Sequence, residues 1–312
     1  MEDRILMKRK LLNFFISILP AVFFLLMEYA VTFGAMLAYM VFGMSAGGMN
    51  VDDILDKIIE LASDPAFTMG IMIIYECFII LAYGFWHIKV TEKSEHCVIP
   101  RNINTVSVIA VLVLSFGMVV VTEYVTMAED FVNPAWYDVF EEIMEDAGMA
   151  GDLSLGALLY ASILAPIGEE LIFRGLVFHY SRKAFPVWIA IIYQAILFGA
   201  FHMNMFQAIY AFFAGLFLGF VAWYGGNIAW SILFHMVYNT IQSMPLFGFL
   251  DYAQDNYFYF MIILTAGVLV CMAAIFWYKR GIDHRNEENA IYEDLMAKGY
   301  TPLTGGDSGT VY

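Results

Sequence analysis

Three short groups of polar residues interrupt an otherwise apolar chain: Glu169, Glu170 and Arg174; Phe198 with His202; and His235 with Asn239. Carboxylate, imidazole and amide groups are the components of hydrolysis by water. A carboxylate near imidazole can take a proton from the attacking water. Imidazole and amide N–H groups can hold the oxyanion of a tetrahedral intermediate. Glu, His and His are also a possible first shell for a divalent metal with an open water position. Spacing refines the reading. Glu170 and Arg174 stand four apart, so on a helix they share a face and can pair. Glu169 turns about 100° away from Glu170, which lets one carboxylate be held while its neighbour stays available. Phe198 and His202, and His235 and Asn239, repeat the four-residue interval. There is no HExxH, which excludes a zincin-type site, and Ser162 has no GxSxG around it.

These residues must be positioned by helices in lipid. The chain is 61% hydrophobic and only 14% charged, where globular domains carry nearer a quarter of charged residues. A span needs about 20 mostly apolar residues. That window predicts an all-α, polytopic membrane bundle of about eight transmembrane helices: Leu11–Phe33 (extending as far as Met44), Phe67–Ile88, Ile103–Met127, Leu155–Tyr180, Pro186–His202, Met205–Tyr224, Asn227–Phe247 and Tyr257–Tyr278. Helix rise gives depths. Glu170 lies about 21 Å from the turn at Ala184-Phe185 and His202 about 26 Å, so these two come out roughly level. His235 lies only about 12 Å beyond Asn227, a mismatch that the helix lengths do not explain.

Lys and Arg segregate along this pattern. Arg4, Lys8, Arg9, Lys10, Lys89, Lys93, Arg101, Arg182, Lys183, Lys279, Arg280, Arg285 and Lys298 fall on one side, Lys57 alone on the other, and Arg174 within a span. The positive-inside rule predicts both termini in the cytoplasm, in what is expected to be a bacterial plasma membrane. No removable signal peptide is evident, so the first apolar run reads as a retained helix. The opposite loops are acidic. Val51–Asp64 reads as an amphipathic helix, and Glu129–Asp152 as a solvated or interfacial loop. Four regions follow: 1–154 with three spans, a four-helix catalytic core over 155–247, a last span over 248–282, and a flexible tail over 283–312. Cys77, Cys97 and Cys271 read as free thiols. A net charge of -15 argues against nucleic acid as a partner. His87, His96 and His179 read as interfacial, and Gly215 with Gly219 as a helix-packing face.

Ala165-Pro166-Ile167-Gly168-Glu169-Glu170-Leu171-Ile172-Phe173-Arg174-Gly175 resembles the EExxxR motif of the CPBP intramembrane proteases. That family includes the type II CAAX prenyl endopeptidases and the bacterial Abi, or bacteriocin-processing and immunity, proteins. Phe198–His202 is similar to the second family motif, FxxxH, and His235–Asn239 to the third, HxxxN. The likeness covers about Leu155 to Met244, with all three motifs in order and in separate apolar spans. It implies an intramembrane endopeptidase. Glu169 would be the base that activates water, with Glu170 and Arg174 shaping the site or Glu170 sharing the work. His202 would orient or polarise the water, and His235 and Asn239 would stabilise the oxyanion. A metal-free mechanism is favoured because the carboxylates have an arginine partner. Zinc held by Glu169, His202 and His235 is the alternative.

Expected partners are membrane lipid and a membrane-associated peptide or protein substrate: lipidated, leader-bearing or regulatory. Two other classes compete. A non-enzymatic immunity or scaffold protein would have no need of an intact Glu, Arg, His, His, Asn set. A transporter with a glutamate proton relay would be expected to show repeats and paired broken helices, and no internal repeat is visible.

Overall fold

In lipid there is no water to satisfy backbone N–H and C=O groups, so an apolar segment must close its hydrogen bonds internally. The computed structural model follows that constraint. It describes residues 2–46, 50–62, 64–91, 100–151, 153–243 and 257–297. Among the described residues there is no strand, and ten helices follow one another. They are α1 (Glu2–Ala46), α2 (Val51–Ala62), α3 (Pro65–Val90), α4 (Thr105–Val132), α5 (Ala135–Asp146), α6 (Leu155–Ala184), α7 (Val187–Phe201), α8 (Met205–Gly225), α9 (Ile228–Gln242) and α10 (Tyr257–Ala297).

Six of them, α1, α3, α4, α6, α8 and α10, are long and apolar enough to cross a membrane. The other two expected spans are helical but shorter. α7 and α9 each have 15 residues, which reach about 22 Å against a hydrocarbon core of about 30 Å. The end of the expected seventh span, at Phe247, lies outside the described residues.

Element ends differ from expectation in three places, each for a local reason. α1 contains Pro20 and runs on to Ala46, the sequence past Phe33 being mostly apolar with no further proline. The acidic stretch expected as a loop is partly helical, because Tyr137 and Phe140 of α5 pack on Phe206. The tail expected to be loose from residue 283 continues as helix to Ala297. Asn289 donates to the Arg101 carbonyl at 3.1 Å and Tyr224 to Asp283 at 2.8 Å, tying that extension down. Lys93, His96, Cys97, Asp152, Lys298 and the tail beyond Ala297 lie outside the described residues.

One buried cluster joins α1, α3, α4 and α6 to α10, through Phe24, Tyr83, Leu114, Phe173, Phe234 and Tyr278 among others. α7 and α8 form a close hairpin as Gly215 and Gly219 predict. A Cβ at Gly215 would press on Ala195 and Phe198, and one at Gly219 on Gln194. The Gln194 amide donates to the Gly215 carbonyl at 2.7 Å across that approach. His87 and His179 are buried rather than interfacial. His87 reaches the Gly175 carbonyl at 3.1 Å, which accounts for its burial.

Apart from Lys57 and Arg174, the described Lys and Arg positions lie on segments that meet at one end of the bundle. Phe14 near the start of α1 meets Phe185 after α6. Asn102 donates to the Gly225 carbonyl, and Asn104 to that of Gly281. Asn227 is itself buried in this corner. α9 therefore starts against neighbouring helices, with Asn227 packed and Gly226 exposed.

Candidate active site

α6 carries the two glutamates and is not a uniform helix. It widens into π turns at Tyr160–Leu164 and Phe173–Val177, on either side of the α-helical stretch Ala165–Ile172. Pro166 accounts for the first. It has no N–H to donate, and its ring opposes regular packing on the preceding turn. The Ala165 N–H reaches back to the Tyr160 carbonyl. The next donor in a π pattern would be Pro166, so the Ala161 carbonyl is left without one. The Asn239 side-chain amide fills that vacancy, donating to it at 3.0 Å. A residue of α9 thus completes the backbone of α6. π turns of this kind concentrate at functional sites.

Glu170 and Arg174 form the buried pair that their spacing predicts. Arg174 Nη1 donates to Glu170 Oε1 at 2.8 Å, and neither side chain is exposed. Burying a charge pair is tolerable only with further partners, and several are present. His235 Nδ1 lies 2.9 Å from the same carboxylate oxygen. Arg174 Nη2 reaches the Gly215 carbonyl at 3.4 Å. The guanidinium also sits 4.4 Å over the Phe198 ring, a cation–π contact. Phe198 packs edge-on against both His202 and His235. The phenylalanine of FxxxH is thereby a floor for the whole cluster, a role that its sequence position did not reveal.

Glu169 is in a different environment. Its side chain is 18% exposed, and its Oε2 lies 3.6 Å from His235 Nε2. It borders a cavity of about 510 Å³, together with His202, Tyr160, Glu76 and Glu28. His202 ends α7 and turns Nδ1 to the Phe198 carbonyl at 2.9 Å. A carbonyl only accepts, so Nδ1 carries the hydrogen and Nε2 is left for the cavity. The same logic applies to His235, whose Nδ1–H is committed to Glu170. It can offer a second N–H at Nε2 only as the imidazolium. Asn239 has one amide hydrogen committed to Ala161 and one remaining.

The sequence reading missed Glu76 and Glu28. Each is a carboxylate within an apolar helix, which is a signal in itself. Glu76 is 2% exposed, and its Oε1 has no hydrogen-bond partner among the described residues. Gly168, just before Glu169, makes room for it: a Cβ there would fall on the Glu76 carboxylate. As for metals, no group of three His, Cys, Asp or Glu side chains among the described residues converges as a coordination shell.

Residues 151–241 match the family model described as type II CAAX prenyl endopeptidase, Rce1-like. The match begins just before α6 and ends one residue before the end of α9, so it contains every motif residue from Glu169 to Asn239. This segment is similar to an Rce1-like domain. Comparison with curated proteins and with solved structures gives no significant match. The family is one of membrane proteases, and the matched segment lies in a polytopic helical membrane protein. α1 to α4 and α10, outside the matched segment, supply the remaining walls of the cavity and core.

Proposed function

We propose that the protein is an intramembrane endopeptidase that hydrolyses a peptide bond of a membrane-associated substrate with a Glu169-activated water. One observation carries the reading. Two adjacent glutamates are divided between two environments, Glu170 locked to Arg174 and His235, Glu169 open to a cavity beside His202. A carboxylate with a cavity and an imidazole next to it suits a base. A buried carboxylate whose Oε1 is held by both a guanidinium and an imidazole suits a support.

In the proposed cycle, water in the cavity gives a proton to Glu169 as its oxygen bonds to the scissile carbonyl carbon. His202 Nε2 accepts the other water hydrogen and aims the lone pair. The oxyanion is met by the remaining Asn239 hydrogen and by His235 in its imidazolium form. Protonated Glu169 then returns its proton to the amide nitrogen, the C–N bond breaks, and acid and amine products leave. The orientation, with both termini in the cytoplasm of a bacterial cell, rests on the Lys and Arg distribution.

The test is cleavage of membrane-tethered peptides by purified protein, comparing wild type, Glu169→Gln and His202→Ala, each with and without chelator. The expected result is a loss of about 10²–10⁴ in rate for either variant, with no effect of chelator. Loss with chelator, restored by a divalent ion, favours zinc at Glu169, His202 and His235 instead. Equal cleavage by all three proteins overturns the assignment. A function that survives Glu169→Gln favours a scaffold.

A further inference from the structure

The turn from α7 to α8 sets a further polar group beside the cavity. His202 closes α7 and Asn204 caps α8, so Met203 alone reverses the chain between them. It does so with a φ of 57°, in the left-handed region that a bulky side chain rarely adopts. Met203 is the one non-glycine residue with positive φ among the described residues. Backbone held in that region is fixed by its surroundings, and such positions cluster at functional sites. Gly199 lets the first turn of α8 lie against the last turn of α7, since a Cβ there would fall on the Ala208 carbonyl. Gln207, in that first turn, thereby joins His202 and Glu169 in the cavity wall.

Which way the Gln207 amide faces follows from backbone groups, which cannot be reversed. The Gln207 backbone N–H only donates, so the Asn204 atom 2.7 Å from it is Oδ1. Asn204 Nδ2 is then the donor, and it reaches the His202 carbonyl, which only accepts, at 3.0 Å. Its second hydrogen goes to the Gln207 side chain at 3.1 Å, so the atom receiving it is Oε1. Nε2 is left on the other side of the amide with no partner among the described residues. It is not one of the sealed polar atoms, so it keeps surface to offer a ligand.

Asn204 and Gln207 occupy the N-cap and third positions of α8, the places of a capping box. Capping uses the Gln207 backbone N–H and Oε1. It has no use for Nε2, and glutamate serves that position equally well. An amide N–H without an acceptor in a largely apolar wall is costly. The acceptor that fits is neutral, because the wall has no Lys or Arg among its described residues to offset a carboxylate. A main-chain carbonyl meets that requirement.

We propose that Gln207 binds the substrate, its side-chain amide donating to a main-chain carbonyl oxygen of the polypeptide beside Glu169. Asn204 is the positioning residue that turns this donor away from the cap. Cleavage of the bound polypeptide rests on the endopeptidase reading above, whereas its binding does not.

The experiment compares Gln207→Glu, which keeps the cap and removes the donor, with Gln207→Met, a neutral chain of similar length. Purified full-length proteins in nanodiscs are assayed on the membrane-tethered peptides. Both variants should raise KM roughly two- to tenfold, the worth of one hydrogen bond. kcat should not change, because the contact is present before and during the reaction. Gln207→Glu should melt at the wild-type temperature. Asn204→Ser keeps an acceptor for the Gln207 N–H. It should raise KM by a similar factor alone and add nothing to Gln207→Met. An unchanged KM in both Gln207 variants overturns the proposal, as does a loss that follows melting temperature, which a cap alone would give. A further rise on adding Asn204→Ser to Gln207→Met overturns the part assigned to Asn204.

Binding is separated from turnover in the Glu169→Gln background and read by anisotropy. The probe is a fluorescent peptide with a Leu/Ala helix of about 20 residues, preceded by a short polyalanine segment. Adding Gln207→Met should raise its Kd by the same factor. If wild type does not cleave and this difference in Kd persists, the carbonyl site stands and the protease reading falls. Equal Kd values, or no binding by either protein, overturn the site.

Discussion

At the residue scale, one position along a helix puts Glu169 beside the cavity and Glu170 in a buried ion pair, the difference on which their proposed roles as base and support rest. Substitution should separate them too. Glu169→Gln removes a partly exposed group and leaves the buried Glu170–Arg174 pair intact, so thermal stability in detergent should hold while cleavage is lost. Glu170→Gln strands the Arg174 guanidinium in a buried site. Removing one partner of such a pair costs about 3–5 kcal/mol, and the variant should unfold at a clearly lower temperature. Arg174→Lys should not rescue fully, because an ammonium cannot both bond Glu170 and lie flat on Phe198. The assignment fails if the two glutamine variants share one stability profile. The pairing of Glu170 with Arg174 was legible from their interval alone. The committed Nδ1 hydrogens of His202 and His235 were not, since they depend on a carbonyl and a carboxylate reached only in three dimensions.

At the element scale, the π turn before Pro166 ties α6 to α9. Pro166→Ala would return the missing N–H, allow the Ala161 carbonyl a backbone partner, and free Asn239. Activity should fall, and the stability cost of Asn239→Ala should become smaller in the Pro166→Ala background. A double-mutant cycle on thermal unfolding should give a coupling of about 0.5–3 kcal/mol, and a coupling near zero would refute the link. Gly168→Ala makes a second case. Its methyl displaces Glu76, so stability should drop, and Glu76→Ala should recover part of the loss.

Helix identity was readable in the apolar runs, because they leave the backbone no other choice in lipid. The widening of α6 was not, although Pro166 inside an apolar span announces a local break. α5 escaped notice because its acidic residues outnumber its ring contacts. Glu76 escaped because nothing in the sequence shows that α3 packs beside Gly168.

At the scale of the whole molecule, the short helices α7 and α9 flank the site while α1 and α10, with 45 and 41 residues, exceed any bilayer. A short hydrophobic segment is accommodated by thinning the surrounding lipid. The protein should therefore be more stable, and cleave faster, in nanodiscs of short-chain lipids than in those of long-chain lipids. A rising melting temperature with chain length would contradict this. The segregation of Lys and Arg was legible as a pattern of signs, and the fold gathers the described members of that pattern at one end. What the pattern could not convey is that Asn227, at the start of α9, is packed against its neighbours.

The contributions to the site are widely separated in the order of synthesis. Glu28 and Glu76 emerge from the ribosome early, Glu169 midway, and His235 and Asn239 only when α9 is made. An unfinished chain holds the base but lacks both the imidazole that steadies Glu170 and the amide that closes α6. On the proposed mechanism, hydrolysis therefore waits until α9 (Ile228–Gln242) has been made.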